Sequence, residues 1–250
     1  MLINAVVMFL RELLPLLLLL SMLLLWQRAH WRGLLAIFTA SALGGILLLT
    51  SQFSRISDWL DGQGLELLYA ALYLLTALLL ALAIYLSQRQ RLPMWLAALA
   101  SSSLCVIHGA NLVLYLWFYQ RTPAESQSLW LGAAMGVGIG LSVAVLLYYL
   151  TLECQRYWRW SLPLVLALLG ARQISMAVAI LIQTDWLTPG AVLWDSQQWI
   201  SEQSEYGYFL NALMGYEATP GVSLLLAMLG SVLGLLWLGR RLEVQNVQND

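Results

Sequence analysis

The chain has 250 residues, 61% of them hydrophobic and only 10% charged, with a formal net charge of −1 and a mean hydropathy of +0.76. A soluble domain carries about 25% charged residues, so this composition excludes one of ordinary surface. The near-neutral charge gives no electrostatic footprint for a nucleic-acid partner, and the chain reads as a polytopic membrane protein whose partner is the lipid bilayer.

Seven nearly uncharged stretches, approximately 4–26, 33–53, 66–87, 93–119, 129–151, 160–183 and 219–239, are long enough to cross about 30 Å of hydrocarbon at about 1.5 Å per residue. Strands of a closed barrel are about ten residues long and alternate in polarity. These runs do neither, so an all-α bundle of seven transmembrane helices is expected. No Gly/Ser linker or low-complexity block divides the chain, and residues 1–250 read as one permease-like domain.

Segment one holds Arg11 and Glu12 side by side in an otherwise uncharged run, and Glu12 is the acid that lies well inside a segment. A charged side chain in hydrocarbon needs a partner or water, which makes such a couple a functional-site hypothesis. Adjacent helical residues diverge by about 100°. Arg11 therefore need not neutralise Glu12, and Arg172 of segment six is the alternative partner. Glu12 is then either half of a buried ion pair that locks helices together or a carboxylate facing a substrate. With no basic region before the run and no small-residue cleavage site, segment one is expected to be a retained helix rather than a signal peptide.

After segment two, Asp58, Asp61 and Glu66 lie in Ser57-Asp58-Trp59-Leu60-Asp61-Gly62-Gln63-Gly64-Leu65-Glu66. Oxygen donors among glycines are suited to recruiting a hard cation; solvated loop acids are the plainer alternative. In segment four, Cys105, His108 and Asn111 recur at three-residue intervals and share one side of a helix. Thiolate, imidazole and amide oxygen are ligands for a borderline or soft divalent metal, although a hydrogen-bonded packing histidine and a merely buried cysteine fit the same pattern. Cys105 within the membrane and Cys154 at a loop cannot form a disulfide framework.

Segment five carries Gly132, Gly136 and Gly140 at four-residue spacing, and segment seven carries Gly230 and Gly234; both patterns predict surfaces where another helix approaches closely. Segment six adds Arg172 and Gln173. Segments one to three and four to six form two halves of opposite orientation, the inverted repeat that places a midplane site at the repeat interface, with a C-terminal helix added. Between segments six and seven, the loop 184–218 mixes Trp186, Trp194, Trp199, Tyr206, Tyr208 and Phe209 with acids and amides. That mixture predicts an interfacial segment, either anchoring the bundle or capping a substrate entrance.

Arginines mark alternate connections: Arg28 and Arg32, Arg89 and Arg91, Arg156 and Arg159, and Arg240 and Arg241. Most acids mark the others: Asp58, Asp61 and Glu66, then Asp185, Asp195, Glu202, Glu205 and Glu217. The positive-inside rule then puts the N-terminus outside and the C-terminus in the cytoplasm; the nearly neutral loop 120–128 decides nothing.

Taken together, Phe9-Leu10-Arg11-Glu12-Leu13-Leu14-Pro15, Trp59-Leu60-Asp61-Gly62-Gln63-Gly64-Leu65-Glu66, Leu193-Trp194-Asp195-Ser196 and Gly215-Tyr216-Glu217-Ala218-Thr219-Pro220 resemble stretches of the oxidase-dependent iron permease family, the ferric permeases of bacteria and fungi. The resemblance spans nearly the whole chain. It implies seven helices with an outside N-terminus and an Arg-Glu-x-x-Glu motif in helices one and four, whose paired glutamates pass iron between sites. Here Pro15 stands where the second glutamate of the first motif belongs. In the fourth helix Ile107 replaces the arginine, and His108 and Asn111 replace the two glutamates.

One carboxylate with a histidine and an amide is a softer set than paired glutamates and suits ferrous iron, copper or zinc better. Pro15 frees the carbonyl one turn earlier, a neutral oxygen in place of the missing side chain. The expectation is an iron permease of a bacterial cytoplasmic (inner) membrane, working by alternating access at Glu12 and His108. Iron would be transported cargo rather than a resident cofactor, with an oxidase or periplasmic iron-binding protein as partner. The alternatives are a transport-incompetent structural or regulatory subunit of an iron-uptake complex, and a transporter of another metal such as copper. No segment pairs a nucleophile with a base in reach, so an enzyme is not expected.

Overall fold

A backbone N–H or carbonyl in hydrocarbon has no water to bond, so an apolar run of this length satisfies itself as a helix. The computed structural model describes residues 2–87, 94–119 and 123–240. The expected spans become α1 (Leu2–Trp26), α2 (Trp31–Ser51), α4 (Gly64–Ser87), α5 (Met94–Tyr119), α6 (Pro123–Tyr157), α7 (Ser161–Gln183) and α9 (Val222–Gly239); α3 (Phe53–Ser57) and α8 (Glu205–Met214) are short additions in the connections. Among the described residues seven helices are long and apolar enough to cross a membrane, and there is no strand beyond an isolated Val192–Gly221 bridge. The chain is an all-α, multi-pass membrane bundle. Arg89, Arg91, Arg241 and residues 120–122 lie outside the described residues.

One helix exceeds its expected bounds at both ends. At 35 residues, α6 extends about 52 Å, well beyond the hydrocarbon thickness. Pro123 opens it at the position where a missing N–H costs nothing, and an exposed Glu153–Arg156 pair at 3.2 Å decorates its last turns. The apolar run 129–151 is only its membrane-embedded part.

Most of the main packing partners are not neighbours in sequence, α4 and α5 being the exception. The α1 helix lies along α6, α2 along α5, and α4 against both α5 and α7. Exchanging α1 with α5, α2 with α6 and α4 with α7 maps the α1–α6 pair onto α2–α5 and returns α1–α5 and α4–α7 to themselves. These pairs follow the exchange expected of an inverted repeat, whereas the extensive α4–α5 packing has no equal counterpart between α7 and α1; α9 stands outside the exchange, against α7.

Glycine sets the close approaches. A Cβ on Gly132 would meet the Ala5 Cβ at 2.6 Å, and one on Gly136 would meet the Phe9 Cβ at 2.8 Å and the Val6 carbonyl at 3.0 Å. The small-residue ridge of α6 is thus the seat of α1, as van der Waals packing between membrane helices requires. The expectation for Gly230 and Gly234 is corrected: neither has another atom near the position of a Cβ. With α9 packed on one side only, its glycine stripe faces outward, and the small residue at the α7–α9 contact is Gly170, overlain by Leu235.

The core gathers around the second half of α1. Leu18, Leu19, Met22, Leu23, Leu25 and Trp26 are fully buried, packed with Leu104 and Ile107 of α5 and Leu162, Leu166 and Leu169 of α7. A helix apolar on every side belongs inside its bundle. The first half of α1, in contrast, borders a cavity.

The connection from α7 to α9 is tied down rather than free. Trp186 Nε1 donates to Gln63 Oε1 at 3.2 Å, Leu193 and Ser196 pair through backbone bonds with Pro220 and Ala218, and the Tyr216 hydroxyl donates to the Ile200 carbonyl at 2.9 Å. Glu202 Oε1 accepts from the Ala218 N–H at 2.7 Å. Burial, and then the Glu202 carboxylate, raise the Glu217 pKa above its ordinary 4.5. A group with a raised folded-state pKa contributes stability below its ordinary value and loses it as pH climbs through the raised one. Glu217→Gln should therefore raise the melting temperature of the detergent-solubilised protein at neutral pH, with the gain disappearing at acid pH where the glutamate is protonated in both states.

Candidate functional site

Glu12 lies about 15 Å along α1 from its start, and His108 about 16 Å along α5 from its end. The two helices run antiparallel, so both residues reach the same depth near the middle of the bundle. Each is 4% exposed, and they are in direct contact: His108 Nδ1 and Glu12 Oε2 are 2.7 Å apart. Asn111 Nδ2 donates to the same carboxylate oxygen at 3.2 Å, while Arg11 NH2 reaches Oε1 at 3.1 Å. The network continues into α4, where the Tyr69 hydroxyl donates to Asn111 Oδ1 at 2.9 Å. The Tyr73 ring meets His108 edge to face, with centroids 6.2 Å apart.

These contacts define the electrostatics. Glu12 sits among two donors and a guanidinium, which compensates a buried carboxylate. If imidazole donates its Nδ1–H to the carboxylate, Nε2 carries the lone pair, and Nε2 is buried without a hydrogen-bond partner. A carboxylate fixing one ring nitrogen while the other is left to coordinate is the arrangement that orients metal-ligating histidines. Pro15 has no N–H to offer the Arg11 carbonyl, and both residues border the same cavity.

That cavity measures about 350 Å³, bordered by Glu12, His108, Asn111 and Tyr73 on one side and by Arg172, Tyr208 and Asn211 on another. The α8 helix supplies one wall of it through Tyr208, Asn211 and Ala212. The Ser204 side chain caps its start by accepting from the Gly207 N–H at 3.1 Å. Gly215, at φ 73°, closes its end in the left-handed conformation glycine allows. A side chain at Gly215 would also press on Ser175 and Arg172. The connection between α7 and α9 borders the cavity through Gln203, Tyr208, Asn211 and Ala212, and its Trp199 and Tyr206 are strongly exposed, as an interfacial anchor would hold them.

The structure sorts the sequence-based candidates. Arg11 pairs with Glu12 although neighbours diverge around the helix, because its long, half-exposed side chain folds back. Arg172 does not pair with Glu12: its Nε donates to the Asn211 carbonyl at 2.8 Å, and its NH1 is buried without a partner. Cys105 packs against the main core and does not border the cavity. Three residues fall about 60° short of a full turn, so Cys105 and Asn111 end up about 120° apart with His108 between them. Among the described residues no three His, Cys, Asp or Glu side chains converge as a metal-binding group, neither around Cys105 nor among Asp58, Asp61 and Glu66. Asp58 and Asp61 are exposed and Glu66 is half-buried. Leu60 and Asp61 adopt φ of 52° and 59°, so the chain turns there and separates the acids.

The chain matches no protein-family model, no curated protein and no solved structure. The site is therefore read from its own chemistry. Sequence reasoning missed Tyr69 and Tyr73, whose four-residue spacing in an apolar run was a usable signal, and missed α8, whose Ser204 and Gly215 flank it as start and stop residues.

Proposed function

We propose that the chain is a metal-ion permease of a bacterial cytoplasmic membrane, with iron as cargo, and that Glu12 and His108 form its midplane transfer site. The observation that carries this reading is the buried 2.7 Å contact between residues 96 positions apart, on the first helix of each half. It brings a carboxylate and an imidazole to the wall of a cavity, and the imidazole Nε2, although enclosed, has no hydrogen-bond partner. The donors available, imidazole nitrogen, carboxylate, amide and carbonyl oxygens, suit a divalent ion such as ferrous iron better than a bare trivalent one.

The half of α1 beyond the site is closed by apolar packing, while α8 and the connection before it border the cavity. That is the asymmetry of a carrier open toward one face, and alternating access requires the α1–α6 and α2–α5 pairs to rearrange about the site. The positive-inside pattern of Arg28, Arg32, Arg156 and Arg159 makes the α8 face external, where an oxidase or iron-binding partner would deliver cargo.

One observation favours a second reading. Every Glu12 oxygen already has a partner, as expected of a structural ion pair in a non-transporting subunit. Metal accumulation by intact cells separates the two. Transport at this site predicts that Glu12→Ala combined with His108→Ala abolishes accumulation at unchanged protein level; unchanged accumulation would leave the structural reading. Competition among iron, copper and zinc in proteoliposomes identifies the cargo, and saturable copper uptake without iron uptake would exclude iron.

A further inference from the structure

Three arginines lie over tryptophan rings at one end of the bundle: Arg32 over Trp31 at the start of α2, Arg159 over Trp160 just before α7, and Arg240 over Trp237 at the end of α9. The guanidinium carbons stand 5.3, 5.9 and 5.1 Å from the ring centroids. Tryptophan gathers at headgroup depth, and a guanidinium over its face is held by cation–π attraction. The three pairs mark the level at which the helices leave hydrocarbon on this face.

One of these pairs stands at the mouth of a groove. Trp237 lines a cavity of about 480 Å³ that follows α9 from Leu238 to Ser231, between that helix and Leu74 and Leu78 of α4, with Ile174 of α7 also in its wall. The groove exists because α4 and α9 both pack on α7 but only lightly on each other, and because Gly234 leaves open space where a side chain would stand. Its wall carries no charged residue, and the Ser231 hydroxyl is turned back to the Ala227 and Met228 carbonyls of its own helix. It shares no residue with the cavity at Glu12 and His108.

We propose that this groove binds one anionic phospholipid, with an acyl chain lying along Gly234 and the headgroup phosphate on Arg240. A wall that is apolar along its length and ends at a single cation matches an amphiphile with one charged end. The dimensions agree: nine residues from Arg240 back to Ser231 rise about 14 Å, close to half of a hydrocarbon core of about 30 Å. Arg240 is exposed, so its guanidinium is open to phosphate oxygens, which it binds as a fork. The cation at the groove's end favours a lipid over a helix from a second copy of the chain, which would meet the apolar wall alone.

Native mass spectrometry of the purified full chain, exchanged in detergent with phosphatidylglycerol or phosphatidylcholine, counts the lipid retained and tests the site. One retained lipid is expected, with phosphatidylglycerol preferred about fivefold, the scale of one arginine at the membrane surface. Arg240→Gln should abolish the preference, whereas Gly234→Leu fills the groove and should weaken both lipids. Both positions are exposed, so both variants should fold. Arg156→Gln removes the same charge from the same face, on α6, and should change nothing. Equal retention of the two lipids by the wild type overturns the proposal, as does a preference that survives Arg240→Gln or undiminished retention in Gly234→Leu. An equal loss in Arg156→Gln would assign the preference to diffuse surface charge, and a lipid-free dimer would assign the groove to a second copy; either result overturns the lipid site.

Discussion

Glu12→Ala should lower the stability of the bundle by about 3 kcal/mol, the scale expected when one partner of a buried charge pair is removed. The substitution strips the acceptor from His108 Nδ1 and Asn111 Nδ2, both held in the interior. Arg11, whose side chain is 57% exposed, recovers water and contributes little. Glu12→Gln should be milder, because its carbonyl still accepts one bond while its NH₂ confronts the donors. A double-mutant cycle with His108→Ala isolates the contact: a coupling of about 1–3 kcal/mol is expected, whereas additivity within about 0.5 kcal/mol would mean the pair contributes nothing as a pair. Because the residues are 96 positions apart, this coupling also reports whether α1 and α5 are joined at mid-depth. Reversible unfolding in mixed detergent provides the measurement.

Two glycines in α6 should respond to the same substitution with opposite sign. Gly136→Ala places a methyl within 2.8 Å of the Phe9 Cβ and 3.0 Å of the Val6 carbonyl. Neither is the far end of a flexible side chain, so α1 itself must move, at a cost of about 1–3 kcal/mol. Gly138, two residues on, is exposed and has open space where its Cβ would be. There the same change gains up to about 1 kcal/mol from helix propensity alone. Equal effects at the two positions would show that the α1–α6 contact is not set by this ridge. Since α1 carries Glu12, Gly136→Ala should also disturb the His108 contact more than Gly138→Ala does.

The helices were legible because hydrocarbon imposes one solution on a long apolar run; the seven runs and the seven spanning helices agree to within a few residues except at the ends of α6. Its extensions are polar and owe nothing to the membrane, so hydropathy passed over them. The α8 helix was hidden for the opposite reason: ten residues of mixed polarity read as loop unless Ser204 and Gly215 are weighed as its caps. The α6 glycines were read correctly as a packing ridge and the α9 glycines were not. Spacing is the same in both, and only which side of the helix its main partner covers distinguishes a groove from an open stripe.

At the site, the resemblance put Glu12 and His108 in the corresponding motifs of helices one and four, but composition could not say that they touch. Which side of α5 faces α1 decides that, and it turned Cys105 away while bringing Asn111 in. Arg172, the alternative partner for Glu12, instead donates to the Asn211 carbonyl, an acceptor on α8 that the sequence reading passed over.

Iron bound to the purified protein and observed at its absorption edge is the most direct test of the metal site. One ion per chain with nitrogen and oxygen ligands is expected, lost in His108→Ala through removal of Nε2 and weakened in Glu12→Ala. Absence of stoichiometric iron, or an iron signal that His108→Ala leaves unchanged, would contradict metal transfer at this pair.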